Sequence, residues 1–155
     1  MKKTRVSAGI SLAICIASAA LLLVWLFTFP SFFRWFYFDY HMLDQTALSA
    51  QKAVQTVVRC FYFSAPFAAA ALGMLISLLV NILRGRVFVA PNVAFLRWVS
   101  WCCWAVFIPC FAFGLRYLPL IIIAFAMGVV GTLLRVVKNI MQAAVALQEE
   151  NSLTV

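Results

Sequence analysis

A chain of 155 residues with 66% hydrophobic side chains, 10% charged side chains and a formal charge of +8 has a mean hydropathy of +1.06. Soluble domains average roughly 45–50% apolar and about 25% charged residues, and no water-soluble fold of this size can hide so much Phe, Leu, Ile and Val. Lipid is therefore the solvent for most of them, which predicts an all-α polytopic membrane protein, a single domain over 1–155 folded as one compact bundle.

Four segments are long enough for a hydrocarbon core of roughly 30 Å, which takes about 20 mostly apolar residues. They run approximately over 8–29, 57–83, 95–115 and 118–137. Lys2, Lys3 and Arg5, followed by Ser18-Ala19-Ala20, imitate a signal peptide. The apolar run continues to Phe29, well past the about 7–15 residues of a secretory apolar region, so an uncleaved first helix is expected.

The first connection, about Pro30 to Thr56, opens with Phe32, Phe33, Trp35, Phe36, Tyr37, Phe38 and Tyr40. Rings with polar tips suit the headgroup region, and this run is expected to lie along the membrane surface. Asp44 stands where a cap is wanted, and Ala47, Leu48, Ala50, Val54 and Val58 recur at helical spacing, predicting a surface helix that leads into helix two. In the second connection Arg84-Gly85 reads as a glycine-terminated helix end and Pro91-Asn92 as the next start, with Phe88 expected to anchor the loop. Arg116 and Tyr117 before Pro119 form a tight turn, making helices three and four antiparallel neighbours.

Eight of the twelve basic residues (Lys2, Lys3, Arg5, Arg84, Arg86, Arg97, Arg135 and Lys138) fall on one side, while Arg34, Lys52, Arg59 and Arg116 lie opposite. The positive-inside rule places the richer side, and with it both termini, in the cytoplasm. Juxtamembrane cations facing anionic lipid, each worth about 1 kcal/mol, account for the charge, so no direct nucleic-acid binding is inferred.

Small residues mark close helix approach in lipid. Ser7, Ser11, Cys15 and Ala19 form such a stripe on helix one, Ser64, Ala68, Ala69, Gly73 and Ser77 on helix two, and Gly128 and Thr132, with Gly131 nearby, on helix four. All four acidic residues, Asp39, Asp44, Glu149 and Glu150, lie outside the spans. An ion-coupled exporter keeps an ionisable group inside the membrane, as the four-helix small multidrug exporters keep a glutamate, and this chain departs from them there. His41 is the only histidine, the five cysteines show no C-x-x-C spacing, and no phosphate loop or nucleophile–base pair is present. Cys60 and Cys110 share a depth near the outer face. No enzyme, cofactor or metal site is predicted.

Beyond Arg135 a helical apolar stripe continues through Val137, Ile140, Met141, Ala144 and Leu147, opposite Lys138, Asn139, Gln142 and Gln148. Helix four should therefore reach about residue 148, roughly 18 Å past the membrane. Glu149 and Glu150 then sit at a helix C-terminus, where the macrodipole disfavours negative charge, so a compensating partner is sought in Arg84, Arg86 and Arg97 or in a separate basic protein.

At these residues the chain resembles a family of small bacterial four-helix membrane proteins of unknown function. Its G-x-x-F-[ST]-x-x-N-x-x-x-L-R signature falls on Gly85, Phe88, Asn92, Leu96 and Arg97, and its V-K-N and A-x-x-L-K-E-E-N-D-L-T-[VI] signatures fall on Val137 to Asn139 and Ala144 to Val155. Val89 and Pro91 replace the usual capping and acidic residues, and Ser152 replaces the usual Asp. The resemblance implies no activity, but it implies partnership with a small cytoplasmic helix-turn-helix transcription regulator. The leading expectation is a non-enzymatic membrane regulator that binds such a partner through Arg84, Arg86, Phe88, Asn92, Arg97, Glu149, Glu150, Asn151, Leu153 and Thr154. The alternative is a small transporter or efflux component, which a polar cavity at mid-membrane would distinguish.

Overall fold

The computed structural model describes residues 2–40, 48–87, 89–115 and 118–153, with the backbone alone described for 2–5, 39–40, 49, 149 and 151–153. Four helices account for nearly all of it: α1 (Lys2–Trp35), α2 (Leu48–Leu83), α3 (Ala90–Gly114) and α4 (Leu118–Leu153), with a π-helical segment, Phe36–Tyr40, after α1. Each is long and apolar enough to cross a membrane. In hydrocarbon the helix is the open-chain solution that satisfies every backbone polar group within the segment.

The helices pack mainly in chain order, α1 on α2, α2 on α3 and α3 on α4, the last contact being the most extensive. Pairings such as Leu26 with Tyr62, Asn81 with Asn92 and Ser100 with Gly131 run in opposite chain directions, so successive helices are antiparallel. The start of α1, the end of α4 and the turn that ends α2 therefore share one face, called here the terminal face. A core of Cys60, Cys110, Leu120 and Ala124 joins α2, α3 and α4 near the other face. The serial order leaves α1 peripheral: none of its most apolar stretch is buried, and Phe27 is 84% exposed.

One polar contact holds α1 to α2 within the apolar layer. Pro30 has no N–H, so the Leu26 carbonyl four residues earlier loses its helical donor. The Tyr62 hydroxyl of α2 donates to that carbonyl at 3.0 Å. Beside it Phe29 stacks on Phe61 at 4.1 Å between centroids.

The aromatic run does not form a segment separate from α1. It continues α1, because residues four apart stack along the helix: Phe29 on Phe33 at 5.6 Å, Phe33 on Tyr37 at 5.9 Å and Phe32 on Phe36 at 6.3 Å. Phe38 turns inward onto Ala50 and Val54 of α2. The expected surface helix is likewise the first turns of α2, continuous with the span; Asp44 and His41 lie outside the described residues.

Small residues set the α3–α4 spacing. A Cβ on Gly131 would lie 3.2 Å from Cys103 Cβ and the Trp104 ring, one on Gly128 3.2 Å from Phe107, and one on Gly114 2.7 Å from the Ile121 backbone nitrogen. The α2 stripe behaves otherwise: Gly73 and Ser77 are exposed, and a Cβ on Gly73 would meet nothing within 4 Å. At Gly73 the smallness serves no contact among the described residues.

Two outcomes test this packing. Tyr62→Phe should destabilise the protein by about 1 kcal/mol in a micelle unfolding titration. The loss should largely vanish in a Pro30→Ala background, where residue 30 supplies the missing N–H; an equal loss in both backgrounds would remove the proline argument. The Cys60 and Cys110 sulfurs are buried 3.6 Å apart as free thiols. In a variant retaining only these two cysteines, a membrane-permeant oxidant should join them and block maleimide labelling after unfolding.

Candidate functional site

The terminal face is shaped first by how α2 ends. Gly85 adopts φ +80°, a left-handed conformation natural to glycine. Around it the Arg86 N–H reaches the Asn81 carbonyl at 2.9 Å and the Gly85 N–H reaches Ile82 at 3.0 Å, the paired bonds of a Schellman motif. At the other end of the connection, Pro91 sits in the first turn of α3, and Val89 caps it without a side-chain bond. A proline there lacks an N–H that would go unpaired anyway.

Asn92 ties these two ends together. Its side chain is fully buried, and its amide nitrogen donates to the Arg86 and Val87 carbonyls at 2.9 and 2.8 Å. Its oxygen accepts from the Asn81 amide at 2.9 Å. Every strong bond available to that amide points inward. Asn92, expected at a partner contact, is buried in the fold, where its amide holds the loop in shape.

A second clasp joins α3 to α4. Ser100, 1% exposed, donates from Oγ to the Gly131 carbonyl at 2.8 Å and accepts from Arg135 Nε at 3.3 Å. The Arg135 guanidinium lies 4.7 Å from the Trp101 ring centroid and 5.9 Å from that of Trp104. Such contacts are worth about 0.5–2 kcal/mol and hold a cation at the rim of the apolar layer.

This clasp floors a cleft of about 350 Å³ lined by Arg97, Trp101, Arg135, Lys138 and Asn139. Three cations and an amide converge there between the start of α3 and the middle of α4. Arg97 comes from the first turns of α3, whereas Lys138 and Asn139 come from α4, so the fold brings together residues about forty positions apart. Arg135, Lys138, Asn139 and Trp101 were not among the predicted site residues. Their signal was present in the i, i+3 and i, i+4 spacings of Arg135 with Lys138 and Arg97 with Trp101.

The remaining predicted residues distribute as follows. Arg84 and Arg86 are exposed on the connection, Arg97 is exposed at the cleft, and Glu150 is exposed on α4. Glu149, Asn151 and Leu153 have helical backbone on the last turns of α4. Phe88 and Thr154 lie outside the described residues. The helix runs to Leu153, beyond the residue near 148 where an end was expected. With Trp104 opposite Gly131 and Phe107 opposite Gly128, the register carried downward sets Ala90 opposite Val145. The last eight residues of α4, about 12 Å of helix, therefore pass beyond the start of α3.

Four antiparallel helices, apolar on their outer surfaces and polar at both ends, define a multi-pass membrane protein. Within that class, residues 30–155 match the family described as "Protein of unknown function (DUF2975)", and the chain belongs to it. The match begins at Pro30, so most of the peripheral α1 precedes it. No curated protein and no solved structure matches the chain.

Replacing Asn92 tests the loop clasp. Asn92→Ala should strand the Asn81 amide and two carbonyls, lowering stability by about 2 kcal/mol. Trypsin should then cut faster at the exposed Arg84 and Arg86; an unchanged cleavage rate would show that the loop does not depend on this amide.

Proposed function

We propose that the protein is a non-enzymatic membrane regulator whose terminal face lies in the cytoplasm and binds a cytoplasmic helix-turn-helix partner. The observation that carries this reading is the convergence of Arg97 with Lys138 and Asn139 in one cleft. Two separate helices meet there at a surface rather than in a core. Asn92 and Gly85 shape the loop, while Arg84, Arg86 and Arg97 face outward from it.

The projecting end of α4 supplies the second half of the surface. Ile140 and Leu147 are 65% and 62% exposed, giving a partner helix an apolar track beyond the basic cleft. From Lys138 to Glu150 is about 18 Å along the axis. The surface is thus basic near the membrane and acidic at its tip, where Glu150 is exposed on the last turns of α4. A partner with an acidic patch and a basic patch at that separation would meet both, with long-range charge steering the encounter. Release or capture of such a partner would be the regulatory act.

The alternative is a small transporter or efflux component; an ion-coupled one would use an ionisable group near mid-membrane, and the spans between their end arginines carry no Asp, Glu, Lys or Arg, which favours the regulator reading.

The test is co-purification with a small helix-turn-helix regulator of the kind that the family resemblance implies. Full-length protein should retain it, while deletion of 148–155, or Arg97→Gln with Lys138→Gln, should reduce recovery roughly tenfold and change expression of the regulator's targets. Unchanged recovery in both variants would end this reading.

A further inference from the structure

The opposite face holds a larger cleft that takes no part in the regulator surface. It has a volume of about 790 Å³ and forms where the end of α1 diverges from the start of α2. That is within the roughly 300–1,000 Å³ of small-molecule sites. Arg34 from α1 and Arg59 from α2 both line it, Gln51 and Gln55 add amides, and Trp35 and Phe38 give an apolar wall. Among the described residues its lining contains no carboxylate.

Its position decides what those groups meet. Arg34 stands five residues past Phe29, about 7 Å along the helix from the end of the apolar run. The cleft is therefore at headgroup depth. Apolar surface continues from its mouth toward the bilayer, with Phe32, Tyr62 and Phe63 exposed by 46%, 44% and 55%. The π-helical turn at 36–40 matters here as well. Such single turns recur at functional sites because they re-aim side chains, and this one carries Phe38 into the lining.

We infer that this cleft binds the headgroup of an anionic phospholipid from the adjoining leaflet. The phosphate takes the Arg34 and Arg59 guanidiniums, whose planar donors suit phosphate oxygens. The glycerol region lies against Trp35 and Phe38, and the acyl chains leave along the exposed aromatic surface. A free phosphate would use the same cations but would leave the apolar wall and most of the volume unfilled.

Full-length protein in phosphatidylcholine nanodiscs, doped with brominated phosphatidylglycerol or brominated phosphatidylcholine, provides the experiment. Bromine quenches nearby indoles, and subtracting the Trp35→Phe variant isolates the Trp35 signal. Brominated phosphatidylglycerol should quench Trp35 at a lower mole fraction than brominated phosphatidylcholine. That preference should fall roughly fivefold per arginine in Arg34→Gln and Arg59→Gln, and survive in the Arg34→Lys, Arg59→Lys pair, which keeps the charge and controls for folding. Equal quenching by the two lipids overturns the proposal, as does a preference that the Gln variants retain. Displacement of the brominated lipid by millimolar inorganic phosphate, at constant ionic strength, would overturn it in favour of a soluble anion.

Discussion

A peptide group in hydrocarbon has no water to bond with, and each unpaired one costs several kcal/mol. Much of this structure follows from where that demand is not met by the helix itself. Pro30 removes a donor from α1, and the freed Leu26 carbonyl is taken by Tyr62 of α2. A break in one helix thereby becomes a bond between two. The contact adds a polar bond to the aromatic packing of Phe29 on Phe61 and of Phe38 on Ala50 and Val54, on a helix most of whose other apolar side chains are exposed. The next interface solves a different problem. At Gly131 the absence of a Cβ lets α3 approach closely enough for Ser100 to reach the Gly131 carbonyl.

Closeness of α3 and α4 then decides the electrostatics of the terminal face. Arg135 leaves α4 at a level where Ser100 and two tryptophans hold its guanidinium, and that fixes the floor of a basic cleft. Arg97 reaches the same cleft only because α3 begins where it does. Its start depends in turn on the Gly85 turn and on the Asn92 amide, which closes six residues of connection onto themselves. A shape made by buried amides thus presents cations that are themselves exposed. The two ends of the molecule are built alike, each a cleft where basic side chains from two helices meet aromatic walls.

Much of this was legible in the residues. Four apolar runs announced four helices, because the length of a hydrocarbon-crossing segment is set by the bilayer. Gly85 and Pro91 marked a helix end and a helix start, since backbone conformation at those two residues is nearly a local property. Gly128 and Gly131 declared a packing face. The aromatic run was less legible: composition suits both a surface-lying segment and a helix extension, and stacking of Phe29, Phe33 and Tyr37 along α1 selected the second. The burial of Asn92 was hidden for a similar reason, because an asparagine in a polar loop looks the same whether it faces outward or bonds two carbonyls of its own chain. Gly73 and Ser77 carry the same small-residue signal as Gly128 and Gly131, yet among the described residues no helix covers them.

The sequence by itself determined the class of protein, the number of helices and the separation of charge toward the ends of the spans, since those depend on the transfer of each residue between water and lipid. Tertiary structure alone decided which of the many exposed cations share a cleft. Arg97 and Lys138 are forty-one positions apart, and so are far from each other on any local measure. They meet because antiparallel packing fixes a register between α3 and α4, and that register is set by which side chains are small enough to let the helices touch.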